Sequence, residues 1–364
     1  MRLNKSLGLV FGLALSITAA RAGTVNYVCA SNINTTEAGT CNYLKTIVAG
    51  DYSSVFSNAN ANIYIQYGST GLAESTIGYY NTISFSNYLQ DLTVNATASG
   101  NPIQAAAIAA LNAVDASTYY QNSSVVITSA LGEALGVPNI DLAGTTASGQ
   151  KCTIGTGVLG TSTGCYNGII TLSTTATWYY DSLGGNSSGY DAFAAVEHET
   201  DEILGTASCI DTQNGGVLTD PCPGALGADT PSAVDLFRYN SDGNLALNSS
   251  YIGDSSAPAG AYFSYNGGLT NGADGNIYNT SSSQGLDYAD FVTNCAGTLS
   301  IQDTNGCPGE EAGLTILTDG NAEINILNAV GYEESAPVAP EPATTALFGT
   351  GLVFLGLYKR RRRA

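Results

Sequence analysis

The sequence predicts a single domain of the α+β class. Segments with apolar residues at helical spacing and segments rich in β-branched residues are mixed along the chain. No internal repeat or long linker divides residues 23–335, and a hydrophobic content of 44% is enough to form one core. The C-terminal half consists mainly of short strand patterns and turns, so it is expected to be rich in loops.

The predicted elements follow in chain order. Residues 29–60 have many turn-forming residues and predict loops. Residues 62–67 form a β-branched and aromatic run that predicts a strand, whereas residues 83–94 fit a strand and a helix equally well. The later predictions are a helix at 103–114, strands at 124–129 and 168–177, a helix at 190–204 ended by Gly205, and a short last helix at 322–330.

The chain is strongly acidic between its two ends. Residues 23–339 carry 29 acidic side chains and three basic ones, a net charge of −26. Such a surface repels phosphate backbones, which excludes nucleic acid as a partner. Charged residues are nevertheless only 11% of the chain, while Ser, Thr, Asn and Gly abound, which is typical of an exported protein rather than of a disordered acidic tail.

The N-terminus has the pattern of a secretory signal peptide. Arg2 and Lys5 precede a short apolar run, and residues 20–22 (Ala-Arg-Ala) supply a cleavage site before Gly23. The alternative is an uncleaved membrane anchor, but the run is shorter than the ~20 residues that a membrane span needs. Residues 1–22 are therefore interpreted as a signal peptide.

The C-terminus carries a second targeting pattern. The triplet Pro340-Glu341-Pro342 is followed by an apolar stretch at residues 343–358, then by a lysine and four arginines. Such a basic end keeps a short apolar helix in the membrane with its positive end in the cytoplasm. These parts resemble the PEP-CTERM sorting signal of Gram-negative bacteria, to which residues 336–364 are assigned. The resemblance implies an exosortase-type enzyme as a partner at the inner membrane, and secretion or display in the extracellular matrix; the alternative is a plain membrane anchor.

The eight cysteines fall into four pairs of neighbours, separated by 12 or 13 residues. Eight cysteines permit 105 pairings, which sequence alone does not resolve. Each neighbouring pair would close a small loop, so sequential pairing is the preferred interpretation, in keeping with an oxidising compartment. The predicted disulfides are Cys29–Cys41, Cys152–Cys165, Cys209–Cys222 and Cys295–Cys307.

One predicted helix holds the residues with a chemical signature. His198 is the sole histidine of the chain and begins the pattern His-Glu-x-x-Glu. Positions i and i+4 share a helix face, so His198 and Glu202 could bind one zinc ion. Glu199 leans toward the same cavity, where a general base would take a proton from water activated by the ion. The alternative is an acidic, solvent-exposed helix face, although its clustered carboxylates favour a cation.

The helix resembles that of the zincin metallopeptidases. Glu202 stands where zincins have a second histidine, and Ser208 stands at the third ligand position of the metzincin pattern. Met1 is the only methionine, so the methionine turn of the metzincins is absent. The resemblance implies a zincin-like domain with a mixed sheet, an active-site helix and a loop-rich C-terminal half stapled by disulfides.

The chain is more similar still to a group of metalloprotease-like proteins in bacteria that use PEP-CTERM signals. These share the His-Glu-x-x-Glu helix, an Asp-Leu-Phe-Arg-Tyr segment (235–239) and a Phe-Ser-x-x-Gly-Gly segment (263–268). Residues 324–332 are similar to the last helix of secreted matrixin-like domains. The resemblance spans residues 50–333 and implies metallopeptidase activity.

Two residues of the 235–239 segment are candidates for the site. Asp235 is the candidate third metal ligand, with an ordinary turn carboxylate as the alternative. Tyr239 is a candidate for stabilising the oxyanion of the transition state; with 22 tyrosines in the chain, a structural role is the alternative. Arg238 is expected to pair with an acid.

Other patterns are less specific. The oxygen-rich turns at 240–244, 271–276 and 303–306 could hold Ca²⁺, although turn formation alone explains them. No nucleophile elbow, P-loop or Rossmann fingerprint occurs.

The sequence therefore predicts an exported zinc-dependent endopeptidase that acts on protein or peptide substrates. Carboxylate ligands would also let Mn²⁺ or Fe²⁺ compete with zinc. The strand at 169–177 is a candidate for binding extended peptide by strand addition. The alternatives are a non-catalytic surface or matrix protein with a degenerate zincin fold, and a Ca²⁺-stabilised adhesion module.

Overall fold

The computed structural model describes most of the chain between the two targeting segments. Residues 1–22 and 336–364, and with them the predicted signal peptide and sorting segment, lie outside the described residues. The described ranges are 23–77, 81–113, 124–137, 142–154, 164–180, 188–209, 230–240, 243–246, 261–269, 287–293 and 295–335.

Strands and helices are mixed along the described residues. The strands are β1 (Thr24–Cys29), β2 (Asn60–Gly68), β3 (Ala73–Ile77), β4 (Asn81–Ser84), β5 (Ser124–Ile127), β6 (Leu142–Thr145), β7 (Lys151–Ile154), β8 (Gly168–Ser173), β9 (Trp178–Tyr179), β10 (Tyr190–Asp191), β11 (Arg238–Tyr239) and β12 (Tyr262–Phe263). The helices are α1 (Thr40–Tyr43), α2 (Ala49–Val55), α3 (Phe85–Ser99), α4 (Pro102–Ala113), α5 (Ser129–Ala134), α6 (Ala192–Asp201) and α7 (Ala322–Val330). A π-helical turn at Leu44–Val48 joins α1 to α2, and a second at Glu202–Thr206 extends α6.

A four-stranded mixed sheet lies at the centre of the domain. Its order is β1-β2-β8-β3, with β1, β2 and β8 parallel and β3 antiparallel at one edge. The inward side chains of β2 and β8 are buried apolar residues that pack in the same core as Val196 and Ile203 of the α6 region. The predicted α+β class and mixed sheet are confirmed, and the sheet brings its antiparallel edge strand against α6.

Most of the long predicted elements are present in the structure, and the prediction for one segment is wrong. The predicted strand at 62–67 lies within β2, and the predicted last helix coincides with α7. Residues 83–94 contain both alternatives, because β4 ends at Ser84, whose hydroxyl caps α3. Residues 29–60 were predicted as loops, but they hold α1 and α2. Leu44, Val48 and Tyr52 recur every four residues and form one buried face, which is the helical signal in this segment.

Three of the four predicted disulfides are present in the described residues. Cys29 bonds to Cys41, Cys152 to Cys165 and Cys295 to Cys307. Cys209 is also disulfide-bonded, but its predicted partner Cys222 lies outside the described residues. Each observed bridge closes a short loop, which supports the sequential pairing on which the sequence argument depends.

The first and last described segments of the domain are fastened to the same place, the end of α2. The amide of Gly23 donates to the carbonyl of Phe56 at 2.9 Å, and the amide of Ser335 donates to the carbonyl of Val55. The amide of Ser57 donates to the carbonyl of Glu333 at 2.8 Å, so residues 55–57 are bonded to both segments. We call this set of backbone bonds the terminal clasp.

Glu133 in α5 gives the metal-free fold a pH dependence. Burial raises the pKa of Glu133 to about 7, against an opposing hydrogen bond with Asn167. The folded pKa lies above the usual value of 4.5, so stability falls as pH rises from about 4.5 to about 7, the range in which the unfolded chain has lost this proton while the folded protein still holds it. Glu133→Gln should therefore raise the free energy of unfolding at pH 8 by about 1–3 kcal/mol and change it much less at pH 5.

Denaturant titrations of both proteins at the two pH values measure this difference. Glu310→Gln, which changes an exposed glutamate in the same way, is the control and should have little effect at either pH. An equal stabilisation by Glu133→Gln at pH 5 and pH 8 would contradict the assignment.

Candidate metal centre and active-site cleft

Helix α6 holds the predicted motif in the conformation that the sequence suggests. Its N-terminus is capped by Asp191, whose carboxylate accepts the amides of Phe193 at 2.8 Å and Ala194 at 3.3 Å. Gly205 ends the extended helix with a φ of 131°, a left-handed conformation that favours glycine. The helix therefore presents His198 and Glu202 on one face, one turn apart.

Three side chains converge beside this face. The Nε2 atom of His198 lies 3.7 Å from Oε1 of Glu202 and 3.6 Å from Oδ1 of Asp290. One ligand atom from each of these three residues lies within 4.8 Å of the others. A zinc ion bonded at about 2.0–2.2 Å in a tetrahedron spaces its ligand atoms about 3.3–3.6 Å apart. The three donors therefore fit a divalent ion after only small adjustments.

Hydrogen bonds from neighbouring segments orient each of the three donors. The Nδ1 atom of His198 lies 2.8 Å from the carbonyl of Ile301, a bond that makes Nδ1 the protonated nitrogen and turns Nε2 toward the carboxylates. Ser75 of β3 donates to Glu202. Gln302 donates to Asp290 at 3.1 Å. An outer shell of this kind is typical of protein metal sites.

The electrostatics of the group favour a cation. Burial alone would lower the pKa of His198, but Asp290, Glu202 and Glu199 raise it well above 6.5. Burial alone would raise the pKa of Glu202, but hydrogen bonds from His198 and Ser75 hold it below its usual value. In the metal-free protein the imidazolium thus acts as the counter-ion, and a metal would displace its proton.

Glu199 lies at the same cleft without being one of the three donors. Burial raises its pKa well above the usual value, and the neighbouring Glu202 carboxylate raises it further. The raised pKa favours the protonated form of Glu199 while no metal ion is bound. A divalent ion on Glu202 would favour loss of this proton and leave Glu199 as a base.

The cleft around these residues has a volume of about 550 Å³. Its lining includes residues 70–75, which lie before and within β3, together with residues 300–301 and 303–306. His198, Glu199 and Glu202 also line it. The cleft is therefore bounded by the edge of the sheet and by a loop that also orients the imidazole.

The structure does not bring Asp235 to the metal group. Its buried carboxylate accepts the hydroxyl and the amide of Ser232, both at 2.8 Å, the amide of Cys209 at 3.0 Å and the hydroxyl of Ser208. These bonds use its oxygens to hold the segment that follows α6. The position predicted for Asp235 is occupied by Asp290, which the sequence analysis did not single out.

The other residues of the 235–239 segment also lie outside the cleft. Tyr239 is buried and its hydroxyl has no hydrogen-bond partner among the described residues. It does not line the cleft, so the structure does not place it to stabilise an oxyanion there. Arg238 is buried and donates to the carbonyl of Tyr288. Because Tyr288 is two residues from Asp290, Arg238 supports the loop that carries the third donor rather than touching the cleft.

The remaining two carboxylates of the helix lie on a different face and do not line the cleft. Glu197 accepts the amide of Ile316 at 2.8 Å, and Asp201 accepts the hydroxyl of Tyr52 at 2.8 Å. Burial raises the pKa of both residues well above their usual values. The acidic run of α6 is thus divided between the cleft and a buried network, instead of neutralising one ion together.

The three oxygen-rich turns have different fates. In the turn at 240–244, Asn240 accepts the amide of Asn244 at 2.9 Å, which is ordinary turn bonding. The turn at 271–276 lies outside the described residues. The turn at 303–306 forms part of the cleft wall, where Asp303 and Glu311 add carboxylates that the sequence analysis did not assign to the site.

A comparison with family models identifies the C-terminal segment. The model of the PEP-CTERM protein-sorting motif matches residues 338–363. The predicted sorting signal is confirmed; it implies processing by an exosortase-type enzyme and indicates export in a Gram-negative bacterium, with anchoring or processing at the membrane. No helix within the described residues is long and apolar enough to span a membrane. Comparisons with curated proteins and with solved structures gave no match to the chain.

Proposed function

We propose that the domain is an exported zinc-dependent endopeptidase. The observation that carries this proposal is the convergence of His198, Glu202 and Asp290 beside Glu199 at the base of an open cleft. One imidazole and two carboxylates form a donor set suited to a divalent metal, and they leave a coordination position open as catalytic zinc sites do. Two carboxylates among three ligands also suit Mn²⁺ or Fe²⁺, so these ions are expected to compete with zinc.

The roles of the residues follow from their positions. His198, Glu202 and Asp290 hold the ion, which when bound supplies Lewis acidity to a water molecule and to the scissile carbonyl. Glu199 accepts a proton from the attacking water and then donates it to the leaving amine. Ile301 and Gln302 keep the donors oriented through their hydrogen bonds.

The substrate is expected to bind along β3. The strand at 169–177 was the predicted binding strand, but its observed part, β8, is paired on one side with β2 and on the other with β3. Its edges are therefore occupied. β3 is the outermost strand of the sheet and lines the cleft, so its outer edge is the one that an extended peptide could extend.

The proposal is tested first by the metal content of the 23–335 segment. Protein purified without chelator should contain about one zinc per chain, and His198→Ala should remove it because the only nitrogen donor of the group is lost. Mass spectrometry under native conditions and elemental analysis measure the stoichiometry. Metal-free parent protein that also fails to take up Zn²⁺, Mn²⁺ or Fe²⁺ would rule out the enzyme.

A non-catalytic surface or matrix protein is the alternative function. Glu202 favours it, because a carboxylate stands where zincin enzymes have their second imidazole. A non-catalytic protein of this kind would bind the metal ion for stability alone and would hydrolyse no peptide. The two functions therefore differ in turnover and not in metal content.

A further inference from the structure

The cleft is acidic beyond the needs of one metal ion. Its described lining contains seven carboxylates, a single histidine and neither lysine nor arginine. The chain has only Lys45, Lys151 and Arg238 between residues 22 and 358. The two lysines are exposed elsewhere, and Arg238 is buried against Tyr288. Apart from the imidazolium of His198, the described lining of the cleft thus has no cationic side chain to neutralise it.

Asp303 and Glu311 have no part in holding the ion or moving the proton. Asp303 follows Ile301 by two residues, so the loop that orients His198 also sets Asp303 in the cleft wall. Its Oδ2 accepts the amide of Ser300 at 3.3 Å, while Oδ1 has no hydrogen-bond partner among the described residues. The oxygens of Glu311 accept one backbone amide each, which leaves a free lone pair on each oxygen.

Apolar side chains lie next to these carboxylates. Leu72, Tyr190 and Leu314 line the same cleft. Gly306 shows how close they come: a Cβ atom there would lie 2.7 Å from Cδ1 of Tyr190, 3.0 Å from Cδ2 of Leu72 and 3.2 Å from Oε1 of Glu311. An apolar wall that ends in carboxylates is the environment that fits a lysine or arginine side chain, with its aliphatic stem and charged head.

We propose that Asp303 and Glu311 form a specificity subsite that binds a lysine or arginine side chain of the substrate beside the scissile bond. This inference rests on the proposed endopeptidase function and gives it a substrate class, namely basic peptides. An acidic side chain would be repelled at the same position, because a like charge would be brought against both carboxylates. A neutral side chain would leave both carboxylates in the cleft without a cationic partner.

The state of Asp303 without substrate agrees with this role. Burial raises its pKa to about 7, and Glu311 and Asp290 add to the shift, against the Ser300 amide and His198. The carboxylate is thus held in surroundings where its charge is costly. A cation brought in by the substrate would stabilise that charge.

Cleavage-site mapping tests the subsite in the exported full chain. The test uses peptides that differ at a single position. The kcat/KM should be at least about tenfold higher when that position holds lysine or arginine than when it holds glutamine. Asp303→Asn and Glu311→Gln should each reduce this preference severalfold. Glu310→Gln, which changes an exposed neighbour outside the cleft, should leave it unchanged. Cleavage that ignores the charge at every position, or an equal effect of all three variants, would overturn the subsite.

A binding experiment keeps this test independent of turnover. In Glu199→Gln protein at about 0.15 M salt, which screens long-range attraction to the acidic surface, a fluorescent lysine peptide should bind more tightly than its glutamine counterpart. Adding Asp303→Asn should remove the difference, and adding Glu310→Gln should not. If the parent protein cuts no peptide, the proposed endopeptidase function is wrong. The binding experiment still shows whether the subsite prefers a basic side chain. Equal binding of both peptides would overturn it.

Discussion

Glu199→Gln is expected to abolish peptide hydrolysis while leaving the metal content of the protein nearly unchanged. The amide keeps the shape of the side chain but cannot accept a proton from the attacking water, so kcat should fall by about 10²–10⁴-fold. Glu202→Gln should behave differently, since it removes a donor and its charge, and the metal should be lost first. Hydrolysis of an unstructured casein-like substrate, measured beside metal analysis, separates the two effects.

Glu197→Gln is the matched control for this experiment. It makes the same chemical change on the same helix, two residues earlier, in a side chain that faces the buried network rather than the cleft. Turnover should therefore stay close to that of the parent. Full activity in Glu199→Gln would exclude the mechanism, and inactivity of the parent would favour the non-catalytic alternative.

Asp290→Asn and Asp235→Asn should have opposite effects on metal and stability. Asp290→Asn removes a charged donor, so zinc affinity should fall by more than the roughly 10–100-fold typical of losing an outer-shell partner. Asp235→Asn leaves one carbonyl oxygen to accept the amides of Cys209 and Ser232, but it removes the charge and puts an NH2 group where an oxygen accepts the hydroxyl of Ser208. We expect it to lower the free energy of unfolding by about 2–4 kcal/mol while zinc is retained.

Zinc titration and thermal unfolding of the two variants measure this contrast. Asp242→Asn, which changes another aspartate of the same half of the sequence, serves as a further comparison. If Asp235→Asn lost the metal without loss of stability and Asp290→Asn kept it, the predicted ligand Asp235 would have to replace Asp290 in the proposed centre.

Local features of the site could be predicted from the sequence, because they depend on a single helix. The spacing of His198 and Glu202 and the glycine after Leu204 are sufficient to set two donors side by side and to end the helix. Asp290 carries no such signal. It lies 92 residues beyond His198, with no fixed spacing to any motif, and only the folded chain brings the two together.

Asp235 shows why a motif can be recognised and its role still misjudged. Ionic side chains that hold a loop and those that hold a metal look the same in sequence. Their difference lies in hydrogen bonding: Asp235 meets two amides and two hydroxyls, whereas Asp290 faces an imidazole. Arg238 likewise supports the Asp290 loop through a backbone carbonyl, a contact that no residue pattern specifies.

For a similar reason, the sequence did not show which strand lies at the edge of the sheet next to the cleft. The run at 168–177 is apolar and β-branched, which predicts a strand, but its position within the sheet depends on pairing with distant segments. β3 has a less apolar sequence, with Glu74 and Ser75, and this suits an edge that faces a polar cleft. The strand with the weaker pattern is thus the one next to the site.

The terminal clasp restricts how the protein can be presented while its sorting segment is still attached. Ser335, the last residue of the clasp, is eight residues from Ala343, where the apolar stretch begins, a connection of about 26–29 Å when fully extended. The folded body would therefore stay within that distance of the bilayer, tethered on the side of residues 55–57. Removal of the segment would release the folded body from the membrane. Before processing, the protein would meet only substrates at the membrane surface. After processing, it would also meet substrates in the surrounding medium.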